Sequence, residues 1–180
     1  MSLLLLLSTI SVAYAKRELW AWTSSKVADE TITQLHNESW IGMVDGLYAF
    51  CGVNFHVNEA DNTTAIIMNE TVYQNCTKIQ QACIEFNISF HVCLGSIPQQ
   101  AIDNPQSVIT SAIDMANKYK WDGYNIDDES ECAPRATIAN FSKYIGFINT
   151  FSNALHEKDL IVTADVQAMF GIENVSYVQN

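Results

Sequence analysis

Positive charge is what this chain has least of. Nine lysines and arginines stand against twenty aspartates and glutamates, a formal net charge of −11. Nothing in that balance would neutralise a phosphate backbone, so nucleic acid is not an expected partner. No C-x-x-C occurs, which removes the usual zinc and redox motifs. His36, His56, His91 and His156 have no mutual spacing of use, and the D-x-D-x-D-G pattern of a calcium loop is missing. No metal and no cofactor are expected. The first strand-like stretch and its outgoing turn, "LWAWTSSKVADE", hold no glycine, which disfavours a nucleotide-binding sheet with its glycine-rich first turn.

What is present suits one globular domain. Hydrophobic residues make up 48% of 180 residues, enough for a single core. The first fifteen residues, "MSLLLLLSTISVAYA", join a five-leucine run to Ala13-Tyr14-Ala15, a small-x-small cleavage pattern. They fall short of the roughly 20 apolar residues that cross a bilayer. A secretory signal peptide over 1–15 is expected, with no membrane anchor and a mature chain over 16–180.

Two features agree with that route. Seven N-x-S/T sequons begin at Asn37, Asn62, Asn69, Asn75, Asn87, Asn140 and Asn174, as in a secreted or lysosomal glycoprotein. Asn87 lies close to a strand. The five cysteines, at 51, 76, 83, 93 and 132, fit an oxidising compartment, and their odd number leaves one over. Cys76 and Cys83 stand two turns apart on one helix, about 5.4 Å per turn, and cannot bond to each other.

Hydrophobic periodicity orders the rest. Period-two or buried apolar runs predict strands over 18–24, 46–57 (the last part a loop), 88–95, 121–127 and 160–166. Helical spacing predicts helices over 26–39, 70–86, 106–120 and 136–159, the last with a stripe of Phe141, Tyr144, Ile145, Ile148 and Leu155. Residues 58–69 read as polar turn, and 98–105 as loop. Strands separated by helices argue for parallel βαβ units, hence an α/β chain. A doubly wound open sheet and a (β/α)8 barrel both suit this order. The acidic run "DGYNIDDESE" (122–131) follows the fourth strand, where a barrel keeps its chemistry.

That run carries a resemblance. "WDGYNIDDE" is similar to the D-x-x-D-x-D-x-E signature of glycoside hydrolase family 18, the chitinases and their relatives. Asp122 matches the first acidic position, Asp127 the third and Glu129 the catalytic acid, while Asn125 stands where most chitinases have aspartate. The D-G-x-N-I-D-x-E form resembles the di-N-acetylchitobiase branch. "CLGS" (93–96) keeps only the glycine of the S-x-G-G found on the third strand of many members. The resemblance implies a (β/α)8 barrel of TIM type, of which this chain spans the N-terminal five strands.

The spacing has its own chemical sense. Side chains alternate along a strand, so Asn125, Asp127 and Glu129 share one face, and Tyr124, Ile126 and Asp128 the other. Glu129, outermost, suits a general acid, its proton affinity raised by the like charge of Asp127. The resemblance makes the reaction substrate-assisted: the substrate's acetamido oxygen attacks, Asp127 orients that group, and Asn125 hydrogen-bonds Asp127. Asp122 is read as structural. Asp128 is read as solvated, and Asp165 as a buried or capping residue. Trp20 and Tyr48 are assigned to substrate; Trp20 and Trp22, alternating on the first strand, suit stacking on sugar faces or, equally, core packing.

The expected activity is hydrolysis of β-1,4 bonds next to N-acetylglucosamine, in chitin oligomers or the chitobiose core of N-glycans. An N-acetylglucosamine-containing oligosaccharide is the expected partner. The alternatives are a non-catalytic chitinase-like sugar-binding protein and an inactive fragment. Such binding relatives typically lack the glutamate acid, so Glu129 favours the enzyme.

Overall fold

Strand alternation and helical stripes settle the architecture of the computed structural model, which describes residues 18–37, 42–128 and 138–165, without the side chains of 138–141. The strands are β1 (Trp20–Ser24), β2 (Gly46–Phe50), β3 (Val53–Asn58), β4 (Thr63–Met68), β5 (Ser89–Leu94), β6 (Gly123–Asp127) and β7 (Ile161–Asp165). The helices are α1 (Ala28–Leu35, led in by a 3-10 turn at Ser25–Val27), α2 (Glu70–Phe86), α3 (Gln99–Asp103), α4 (Pro105–Tyr119) and α5 (Ile138–His156). Five strands form one sheet in the order β1-β2-β5-β6-β7, every neighbouring pair parallel. Sequential parallel neighbours, each joined through helix, are the arrangement of a (β/α)8 barrel; a doubly wound sheet would reverse its strand order part-way.

Two stretches expected as loops are ordered otherwise. Residues 53–68 form an antiparallel hairpin, β3 with β4, where a loop and a polar turn were expected. Only its turn, 59–62, is mainly polar, and one face of the hairpin packs on α4. There the Ser111 hydroxyl accepts from Ile66 N–H at 2.9 Å and donates to Ile66 C=O at 3.2 Å. Thr64 and Ile66 are buried. The 98–105 stretch contains the single-turn helix α3. The first helix is also shorter than the expected 26–39.

Local chemistry explains the helix ends. Asn69 caps α2 by accepting from Val72 N–H at 3.2 Å. Asn87 ends α2 in the left-handed conformation that asparagine tolerates. Pro105 opens α4, where its missing N–H costs nothing.

The core lies between the sheet and its helices. Phe90, Val92, Leu94, Tyr124 and Ile126 face outward from β5 and β6 and are buried. Tyr124 donates from its hydroxyl to Ala112 C=O of α4 at 2.8 Å. On α5 the buried stripe is Tyr144, Phe147, Phe151 and Leu155, shifted from the expected set, of which Ile145 and Ile148 are only partly buried; Phe141 lies outside the described side chains. A buried relay holds the approach to β6: Trp121 Nε1 donates to Tyr73 Oη at 2.6 Å, and Tyr73 donates to Gln80 Oε1 at 2.9 Å. Gln80 then donates to the carbonyls of Tyr119 and Lys120.

Cys51 and Cys76 form a disulfide that ties the end of β2 to α2, and Cys83 and Cys93 are buried free thiols. Among the described residues no helix is long and apolar enough to cross a membrane. The expected signal segment, 1–15, lies outside them.

Candidate active site

The inner face of the sheet follows directly from register. Trp22 pairs with Tyr48, Tyr48 with His91, Cys93 with Asn125, and Asp127 with Asp165. Because parity is kept across each ladder, Trp20, Trp22, Tyr48, Phe50, His91, Cys93, Asn125, Asp127, Thr163 and Asp165 share one face. Gly123 lets β6 and β7 approach: a Cβ there would run into the Ile161 carbonyl oxygen.

This face is concave. Trp22, Phe50, Asp127 and Asp165 line one cavity at the C-terminal ends of the strands, although β1 and β7 would stand roughly 19 Å apart in a flat sheet. The cavity has an apolar aromatic wall on one side and two carboxylates on the other. Trp22 and Phe50 stack with ring centroids 5.6 Å apart and are exposed. Flat aromatic faces beside carboxylates suit a sugar, whose C–H faces stack and whose hydroxyls need acceptors.

The structure separates the two aromatics assigned to substrate from this cavity. Trp20 lies at the start of β1, stacked on Tyr48 at 4.8 Å and against His91 at 4.6 Å, and its ring covers Gly46 where a Cβ would collide with it. Tyr48 is the layer between, in contact with Trp20, Trp22 and His91. The cleft aromatics are Trp22 and Phe50. Their signal in the sequence was the same alternation that singled out Trp20, read one step further along the strand.

A larger hollow opens at the opposite end, where Asp45 and Asp122 sit. Both acids serve the backbone there. Asp45 accepts from Leu19 N–H at 2.9 Å, and Asp122 from Phe90 N–H at 2.8 Å. The N-terminal end of a barrel works for stability, and Asp122 is structural as expected.

Asn125 differs from expectation. Its side chain is fully buried, and both amide protons go to β7: one to Thr163 Oγ1 and one to Asp165 Oδ2, each at 2.9 Å. None remains for Asp127, and Asn125 Oδ1 has no hydrogen-bond partner among the described residues. Asp165, expected to be buried or to cap, is exposed and lines the cavity. Asp128, expected on a solvated loop, is buried. Strand parity continued one residue past β6 gives it the side of Tyr124 and Ile126. Glu129 lies outside the described residues, two positions beyond Asp127.

Burial shapes the remaining titratable groups of this face. His91 is fully buried, and the lost hydration lowers its pKa to about 4. Its Nε2 lies 3.1 Å from Ser89 Oγ. Burial raises the Cys93 thiol, with the charges of Asp127 and Asp165 adding to the effect. Among the described residues no group of three or more His, Cys, Asp or Glu side chains is placed to hold a metal ion.

No protein-family model matches the chain, and no curated protein is similar to it at a significant level. Solved structures are. The chain superposes on a class V chitinase from Pseudomonas fluorescens Pf-5 with a TM-score of 0.63 at 12% identity, covering 83% of this chain and 44% of that one. The chain carries part of the chitinase barrel fold. A glycoside hydrolase family 18 N-acetylglucosaminidase from Paenibacillus barengoltzii matches with a TM-score of 0.59 at 16% identity, over 83% of this chain and 45% of that one. A class V chitinase from Nicotiana tobaccum, solved in complex with NAG4, matches with a TM-score of 0.60 at 14% identity, over 84% and 44%. The chain thus spans less than half the length of these structures.

Proposed function

We propose that this chain belongs to glycoside hydrolase family 18 and cleaves β-1,4 bonds next to N-acetylglucosamine by retaining, substrate-assisted catalysis. The observation that carries this is the column ending β6. Asn125 and Asp127 stand on the concave face at the C-terminal end of a barrel-type strand, beside an aromatic wall, and Glu129 follows in the same parity. Glu129 protonates the glycosidic oxygen. Asp127 holds the acetamido group so that its oxygen attacks the anomeric carbon, and stabilises the charge that develops on nitrogen. Trp22 and Phe50 stack on a neighbouring sugar ring. The likeness to a chitinase that holds NAG4 supports an N-acetylglucosamine oligomer as the ligand. The chitobiose core of N-glycans, as substrate of a di-N-acetylchitobiase-like enzyme, rests on the motif form D-G-x-N-I-D-x-E alone.

The test is Glu129→Gln in the whole chain against an N-acetylglucosamine tetramer. Turnover should fall about 10²- to 10⁴-fold with binding retained, the usual share of a general acid. Glucose-based β-1,4 oligomers should not be cleaved, because they lack the acetamido nucleophile. Turnover that survives Glu129→Gln, or equal cleavage of glucose oligomers, overturns the mechanism. Binding without turnover by the unaltered chain is the mark of a sugar-binding protein.

We also propose that the chain enters the secretory pathway. Supporting this, every sequon asparagine whose side chain is described (Asn37, Asn62, Asn69, Asn75 and Asn87) is exposed.

A further inference from the structure

The chain lacks a carboxylate at position 125, yet its concave face holds two. Asp127 ends β6 and Asp165 ends β7, directly opposite in the parallel ladder and lining one cavity. Asn125, one layer below, turns both amide protons away from β6 and onto β7, binding Thr163 Oγ1 and Asp165 Oδ2 at 2.9 Å each. The side chain is fully buried, and these two bonds satisfy both of its donors.

We propose that Asp165 is a positioning residue of this site: it supplies, from the neighbouring strand, the second negative charge beside Asp127, and Asn125 is its anchor rather than the partner of Asp127. The assignment rests on the hydrolase reading above and deepens it. In that reaction positive charge develops on the acetamido nitrogen as its oxygen bonds to the anomeric carbon. A fixed carboxylate next to Asp127 stabilises that charge only as it forms, which raises kcat and leaves ground-state binding alone. The Asn125 hydrogen bond holds the carboxylate in place beforehand, so no reorganisation is spent during the step. Thr163 fixes the amide in turn. The pairing also explains why asparagine suits position 125: an aspartate there would set a buried carboxylate at hydrogen-bond distance from Asp165.

A reciprocal exchange tests this. Asp165→Asn should lower kcat on an N-acetylglucosamine tetramer about 10²-fold, the scale of a lost positioning contact, with KM nearly unchanged. Asn125→Asp alone should lose activity too. The double exchange, Asn125→Asp with Asp165→Asn, restores both the charge and the hydrogen bond with donor and acceptor reversed, and should recover most of kcat. Circular dichroism and melting of each variant, with rates taken well below the melting temperature, separate this from unfolding. Three outcomes overturn the assignment: kcat within twofold of the unaltered chain for Asp165→Asn, a loss carried in KM alone, or a double exchange no better than the single variants. An unaltered chain that neither binds nor cleaves the tetramer defeats the hydrolase reading and this assignment together. A chain that cleaves it, with Asp165→Asn indifferent, defeats this assignment only.

Discussion

Single residues on this sheet take their roles from the face they occupy. His91 shows it most clearly. It packs against Trp20 and Tyr48 on the inner face, fully buried, and its pKa falls from 6.5 to about 4. In the unfolded chain the imidazole takes up its proton first as pH falls. The unfolded state therefore binds more protons across that window, and stability declines from about pH 6.5 down to about pH 4, then levels. His91→Gln should flatten that part of a stability-against-pH curve, measured by urea denaturation at several pH values. An unchanged slope would mean that another group governs the acid limb. In an acidic lumen, such as that of a lysosome, His91 works against the fold.

Among the elements, the hairpin β3–β4 is the part built least like the rest. It rises from the C-terminal end of β2 and returns to α2, and the Cys51–Cys76 disulfide closes this excursion across a separation of 25 residues. A loop of that size carries roughly 3 kcal/mol of unfolded-state constraint. Replacing both cysteines by serine should therefore lower unfolding stability by about that amount. Denaturation with and without reductant measures it, and the reductant should have no further effect on the double variant. Equal stability of the two proteins would show that packing of Ile66 and Thr64 on α4 holds the hairpin by itself. The buried Tyr73–Gln80–Trp121 relay acts between elements in the same way. It fixes α2 against the turn that launches β6, and so sets the height at which Asp127 emerges.

Over the molecule as a unit, the two faces of the sheet divide the work. Helices cover the outer face, and the concave face carries aromatics at β1 and β2 and carboxylates at β6 and β7. The exposed sequon asparagines belong to the end of α1, the hairpin turn and α2 with its caps, and none stands in the inner-face columns. Glycans there would sheathe the helical side and leave the cleft open. Expression in a eukaryotic host should give a ladder of bands that collapses on glycosidase treatment, with a mature chain beginning at Lys16. A single unmodified species that retains Met1 would sink the secretory proposal.

The order of the five sheet strands with the main helices between them, and the shared face of Asn125 and Asp127, were legible in the sequence. Those features are local. A strand repeats every two residues and a helix every 3.6, so Tyr124, Ile126 and the stripe of α4 announce their faces within one short window. Alternation also shows Asn125 and Asp127 together without any neighbour being known. The hairpin escaped because the backbone N–H groups of Thr64 and Ile66 meet α4 through two serine hydroxyls, a contact no local pattern encodes. The shifted stripe of α5 depended in the same way on which face met α4 and the sheet. It took the folded sheet to show that Cys51 meets Cys76, that Trp22 and Phe50 rather than Trp20 face the cleft, and that Asn125 serves Asp165. The disulfide and the Asn125 hydrogen bond join positions 25 and 40 residues apart, and the register and curvature of the sheet bring such partners together. Periodicity tells a residue which way to point; the strand beside it decides what it finds there.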